Sequence, residues 1–338
     1  MKSQTTFTSS WTSSLATAVS ALAIVLPICS TATAHEYDAL IKAKKYAEVE
    51  KAVAAKLASE ANNPDALIAK AELILIEGKE SRLDEASKYA EQCISANPKN
   101  SECYESLGNV LGTKAQRGGV MSAMSYVGKI RDAFKKAIEL DVNNFSARFS
   151  LMQFYLQAPS FVGGGTGKAK DLVIETIKSS PAAGALLQAS LDLHEDNFDR
   201  ATSGALAVNT SSSDALARQQ RNLLSNIGHA QFNEKKFANA EKIFRELTQR
   251  FPDAVHGYFG LGKTLQEQGK AKEAIPHLEK ALTVDASAGI HYRLGKAWQM
   301  LGDKAKALSA FEKALTFKPE LSKKIKSEVE DIIKTLKS

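Results

Sequence analysis

Three stretches of this chain carry the same markers in the same order. Leu224, Ile227 and Gly228 are followed by Ala240, Phe244, Leu247 and Pro252. Tyr258, Leu261 and Gly262 are followed by Ala274, Leu278 and Ala281, and His291, Leu294, Gly295 and Trp298 by Ala307, Phe311, Ala314 and Pro319. Between copies the glycine and the alanine both advance by 34 residues and then by 33. Several markers moving together at such a period mean an array of small units, each of which must stack on its neighbours to bury its apolar face.

The residue types suggest how one unit folds. Gly228, Gly262 and Gly295 suit positions where a first helix, A, approaches a second, B, closely. Ala240, Ala274 and Ala307 are expected opposite them on helix B, where a larger side chain would push the axes apart. Phe244 and Phe311 would then fill the space towards the next unit. Gly269 and Gly302 fall where the turn between helices wants a positive φ. Pro252 and Pro319 offer no amide hydrogen and so stop helix B.

The first half carries the same design with weaker markers. Pro64 and Pro98 lie 34 residues apart and are each expected to end a helical stretch. Tyr104, Leu107 and Gly108 restart helix A, but Phe134 and Ala137 arrive about ten residues late, which places an insertion around Gly118-Gly119 and Met121 to Met124. A further unit runs from Phe149 to Pro181, interrupted at Ala158 to Gly167. Ala189 and Ala201 mark another pair of helices, followed by a Thr/Ser-rich turn from Asn209 to Ser213. The reading is eight helix pairs, three well matched and five degenerate.

This pattern resembles the tetratricopeptide repeat, whose period and order of bulky and small markers it shares. The resemblance implies an all-α, right-handed α-α superhelical solenoid. Well-matched repeats cover residues 221–319 and degenerate ones 35–220. Residues 320–338 form a terminal helix whose Ile325, Val329, Ile332 and Leu336 share one face. A solenoid needs such a cap, because its last hairpin would otherwise expose a stacking face. A membrane-surface helix is the alternative, weakened by the mixture of five lysines and four acids in this stretch.

Residues 1–34 hold no acid and a single base, Lys2, and lead into an apolar run from Leu15 to Leu26. Small residues at Ala32 and Ala34 complete the layout of a secretory signal peptide cut after Ala34, with export to a bacterial periplasm. A lipoprotein anchor at Cys29 conflicts with the bulky Ile28 before it, and a transit peptide with the absence of arginine. The apolar run is too short to span a bilayer, so no stable membrane insertion is expected once it is removed. The formal charge of +6 over 338 residues is spread thinly and gives no reason to expect nucleic acid as a partner.

Chemistry-bearing motifs are few. Gly163 to Lys168 looks like a phosphate loop but has Val162 where the first glycine belongs and Ala169 where a Ser or Thr would hold magnesium; it reads as a flexible loop that could touch a partner. The six histidines make no helical zinc-binding pair, and no nucleophile–base arrangement is visible, so neither enzyme activity, metal nor cofactor is expected. Cys93 and Cys103 fall on either side of the Asn97-Pro98 turn. They can pair in an oxidising compartment or remain packed thiols.

The resemblance further implies protein or peptide binding in a concave groove lined by A helices. Its candidate positions are Asn222, Ser225, Asn226, His229, Phe259, Lys263, Gln266, Tyr292, Arg293, Lys296 and Gln299, a polar, amide-rich and basic set. The family's dicarboxylate clamp meets Ser225, His229, Gly260, Gly289 and Arg293, only the last of which fits. The expected function is an exported interaction scaffold. The alternative is a non-catalytic subunit or small-ligand binder of the cell envelope that uses the Gly-rich loop.

Overall fold

The computed structural model describes residues 36–317 and 321–337. The expected signal peptide at residues 1–34, Cys29 within it, and Pro319 lie outside the described residues.

Among the described residues there is no strand, and seventeen α-helices pack as eight successive hairpins followed by a single helix. The first three hairpins are α1 (Asp38–Lys42) with α2 (Tyr46–Ser59), α3 (Pro64–Glu77) with α4 (Leu83–Ala96), and α5 (Ser101–Arg117) with α6 (Gly119–Leu140). The next three are α7 (Phe145–Gln157) with α8 (Thr166–Ser179), α9 (Pro181–His194) with α10 (Phe198–Ala207), and α11 (Asp214–Asn233) with α12 (Phe237–Arg250). The last two are α13 (Val255–Glu267) with α14 (Ala271–Val284) and α15 (Ala288–Met300) with α16 (Lys304–Thr316), and α17 (Lys323–Lys337) closes the array. From α3 onward, the first helix of each hairpin touches both its own partner and the first helix of the next hairpin. The main core is accordingly a continuous apolar strip, running from Leu111 to Ala310, as a solenoid requires. No helix of the described residues is long and apolar enough to cross a membrane.

Helix starts follow capping chemistry. Side-chain oxygens of Asn63, Asn100, Asn144, Ser180, Ser213 and Ser287 accept amide hydrogens in the first turns of α3, α5, α7, α9, α11 and α15. Pro64 therefore opens a helix. It occupies the first turn of α3, where a missing N–H costs nothing, and it does not end the preceding stretch. Pro98 does follow a helix end, two residues beyond α4.

The close approach between helices differs in detail from the sequence expectation. A Cβ on Gly228 would lie 2.8 Å from the ring of Phe244, one on Gly295 2.7 Å from the ring of Phe311, and one on Gly262 2.6 Å from Leu278. The bulky B-helix residue sits over the glycine, and the alanines, all fully buried, close the remaining space. The same contact recurs in the third hairpin, where a Cβ on Gly108 would lie 2.5 Å from Phe134. Ten additional residues separate this pair, and they lengthen α5 and α6 around the turn at Gly118-Gly119.

Every turn inside a hairpin contains a left-handed residue. Gly78, Gly119, Gly269 and Gly302 serve in four hairpins, while Lys44, Asp196 and Lys235 take the same conformation without being glycine. In the fourth hairpin Gly163 and Gly165 do so. This Gly-rich segment is a bonded turn, contrary to the flexible loop expected from its composition. The Gly165 amide donates to the Tyr155 carbonyl at 2.7 Å, and the Gly164 amide to that of Pro159 at 3.1 Å. A Cβ on Gly164 would fall 1.8 Å from the Ala158 carbonyl oxygen. The glycines are there because backbone passes against backbone.

Two long-range ties complete the frame. In the Thr/Ser-rich turn, the Gln220 side-chain amide donates to the carbonyls of Ala205 and Val208, both at 2.7 Å, while Thr210 donates to its oxygen at 2.9 Å. Lys44, in the first hairpin, forms an ion pair with Asp285, in the turn before α15, so the curl of the array brings its start beside its seventh hairpin.

Candidate interaction surface

The first helices α11, α13 and α15 pack in succession and carry all of the candidate residues. Their polar groups are engaged across the helix boundaries. Gln266, buried on α13, donates to the Arg293 carbonyl at 2.9 Å and accepts from the Arg293 guanidinium at 3.0 Å. The same guanidinium meets Glu267 at 2.8 Å. Lys263 lies 3.8 Å from the centroid of the Phe232 ring, a cation–π contact between α13 and α11. Tyr292 donates to Glu328 of α17 at 3.0 Å, and Lys296 reaches the same carboxylate at 3.4 Å.

The basic character expected of this face is therefore offset by acids from within the chain. Glu267 neutralises Arg293, and Glu328, supplied by the closing helix, neutralises Lys296. Asn226 and Gln299 are exposed, Asn222 is half-buried and Ser225 is buried. Phe259 is half-buried and packs against the main core, with its ring end 4.0 Å from where a Cβ on Gly289 would sit. The face offers amides, with each charge already partnered or stacked.

Two histidines share this neighbourhood. His229 packs edge-on against Phe244, with ring centroids 5.1 Å apart. Burial, and then the positive charges of Lys263 and His256, hold it down at about 4, so it is neutral at ordinary pH. Burial and Arg221 also lower His256, while Asp285 pulls the other way. Burial followed by Arg293 lowers Lys263. Burial, helped by Glu328, pushes the Tyr292 hydroxyl up to about 12.

Sequence reasoning did not single out Phe232, Glu267 or Glu328. Glu267 stands one residue beyond the candidate Gln266, yet only stacking shows that it meets Arg293. Glu328 lies in the closing helix, whose apolar face was legible while its polar partners were not. Cys93 and Cys103, both fully buried, are joined by a disulfide between α4 and α5, with their Cα atoms 5.4 Å apart.

A tetratricopeptide repeat family model matches residues 225–289 and 259–322. No curated protein sequence matches the chain. Among solved structures, the chain is similar to the Yersinia enterocolitica type III secretion chaperone SycD in complex with a peptide of the translocator YopD. That likeness has 21% identity and a TM-score of 0.34, and covers 38% of this chain and 97% of that one. A tetratricopeptide repeat protein from Parabacteroides merdae is 17% identical over 81% of this chain and 99% of its own, with a TM-score of 0.39. Pseudomonas aeruginosa pilF is 13% identical over 79% of this chain and 96% of its own, with a TM-score of 0.43.

Proposed function

We propose that the chain, matched to a tetratricopeptide repeat family model over residues 225–322 and built of stacked hairpins along its described length, is a tetratricopeptide repeat protein that serves as a non-catalytic interaction scaffold. It holds an extended peptide or a partner's helix in a groove along the face shared by α11, α13 and α15. The observation that carries this reading is that Asn222, Asn226, His229, Lys263, Tyr292, Lys296 and Gln299 all sit on three first helices that pack in succession. Internal neutralisation of Arg293 and Lys296 makes backbone hydrogen bonding by side-chain amides its main contribution to a ligand. A peptide-display selection followed by pull-down tests it. Glu at Lys263, Arg293 and Lys296 together, or Ala at Asn222, Asn226 and Gln299 together, should lower capture at least tenfold. Retained capture by both folded variants refutes the assignment.

The proposal extends to export. The composition of residues 1–34 and a buried disulfide both suit passage into an oxidising compartment. Fractionated cells should yield a mature protein in the periplasm that begins at His35. A cytoplasmic protein that retains Met1 refutes it.

A further inference from the structure

On the other side of the hairpins, between α6 and α8, a cleft of about 610 Å3 opens over α7. Its size suits a small organic ligand. Its floor is apolar at Ile138, Leu151 and Leu172, with the largely buried Tyr155 towards the Gly-rich turn. At the opposite end the floor holds a charge. Arg148 is only 2% exposed, yet it lines the cleft.

The contacts of Arg148 fix its position without balancing its charge. Its Nε donates to the Val142 carbonyl at 3.1 Å, and one terminal nitrogen donates to the Thr176 hydroxyl at 3.1 Å. The nearest carboxylate, Glu175, stands at 3.9 Å on a side chain that is 70% exposed. A guanidinium does not give up its proton in a protein, and a buried cation without a close anion is costly. Burial depresses its charged form, with Glu175 and Asp141 only partly opposing. Several other charges lining the cleft are engaged: Arg131 pairs with Asp132 at 2.8 Å, Glu139 with Lys136 at 2.8 Å, and Lys168 donates to the Gly163 carbonyl at 3.0 Å, while Lys135 and Asp171 also line it.

We propose that this cleft binds a small organic carboxylate, its anionic end seated on Arg148 and its apolar or aromatic body lying along Leu151 and Leu172 towards Tyr155. This site is separate from the face proposed for peptides and does not depend on it. The Gly-rich turn serves it indirectly. Its bonded backbone fixes the Gly163 carbonyl that holds Lys168 at the rim of the cleft.

Calorimetric titration of the full chain with 3-phenylpropionate, 3-phenylpropanol and inorganic phosphate tests the assignment. The carboxylate should bind at least tenfold more tightly than the neutral alcohol, and phosphate, which lacks the body, should bind more weakly than the carboxylate. Arg148→Gln should lose at least tenfold in affinity for 3-phenylpropionate. Because Arg148, on α7, also ties the α6–α7 turn to α8, a second variant keeps the test decisive if that one fails to fold. Val142→Trp, at a cleft-lining position 54% exposed, fills the mouth without entering the core and should lose the same tenfold. Equal affinity for alcohol and carboxylate, tighter binding of phosphate, or full affinity in folded Val142→Trp overturns the proposal.

Discussion

The Phe244 ring on α12 passes 2.3 Å from where a Cβ on Gly260 would begin, so the first helix of one hairpin rests directly on the aromatic ring of the hairpin before it. Phe244 is fully buried and already lies under Gly228 of its own hairpin. One ring thus closes a hairpin and joins it to the next. Gly260→Ala should destabilise by about 1–3 kcal/mol, the usual cost of overpacking a filled core. Gly128 lies inside α6 with nothing within 4 Å of an added Cβ, and Gly128→Ala should stabilise by about 1 kcal/mol through helix propensity alone. Urea unfolding of the two variants checks the contrast, and equal effects would contradict it.

Lys235 turns α11 into α12 with a φ of 58°, in the place where Gly269 and Gly302 stand at 76° in the two hairpins that follow. A side chain in this region costs about 1 kcal/mol, and the exposed lysine makes no compensating contact in the core. Lys235→Gly should therefore raise stability by about that amount, less the entropy glycine adds to the unfolded chain. Chemical unfolding beside the wild type measures it.

These turns mark where the sequence is legible and where it is not. Gly269 and Gly302 declare a left-handed residue by their type, while Lys44 and Asp196 adopt it only because the hairpin around them closes. Gly228, Gly262 and Gly295 announced a close approach, but which side chain fills the space is a matter of packing, and the answer is Phe244, Leu278 and Phe311. The Gly-rich segment shows the converse. Its composition reads as freedom, whereas Gly164 is needed because the Ala158 carbonyl leaves no room for a side chain. At the candidate surface, lysines and arginines could be counted from the sequence, but Glu267 and Glu328 reach them through stacking, which no single repeat encodes.

The Cys93–Cys103 disulfide spans the turn between the second and third hairpins and is fully buried beside Leu67. Closing so short a loop restricts the unfolded chain by about 2–3 kcal/mol. Cys93→Ser together with Cys103→Ser should lose that stability and leave two hydroxyls where the core is apolar. Denaturation of the wild type with and without a thiol reductant separates the two effects. Reduction alone should lower the midpoint, and an unchanged midpoint in fully reduced protein would contradict a stabilising role.

Glu105 gives the array a dependence on pH that its surface charges do not. It is 1% exposed between α5 and α7, with Asn144 and Ser146 facing it from the start of α7 and Glu102 and Asn109 from its own helix. Burial outweighs those polar groups, and the like charge of Glu102 adds to it, pushing the carboxyl up to about 7. The folded form then holds its proton more tightly than the unfolded chain, whose carboxyl titrates near the ordinary value. The contribution of this carboxyl to stability should accordingly be fully present below about pH 4.5, fall as the pH rises to about 7, and level off above that, by up to about 3 kcal/mol. Glu105→Gln keeps the shape and cannot ionise. It should be close to wild type at pH 5, more stable at pH 8, and largely free of the decline between them. Unfolding curves for the two proteins across this range decide the point, and parallel pH profiles would show that the carboxyl ionises in the fold at no cost.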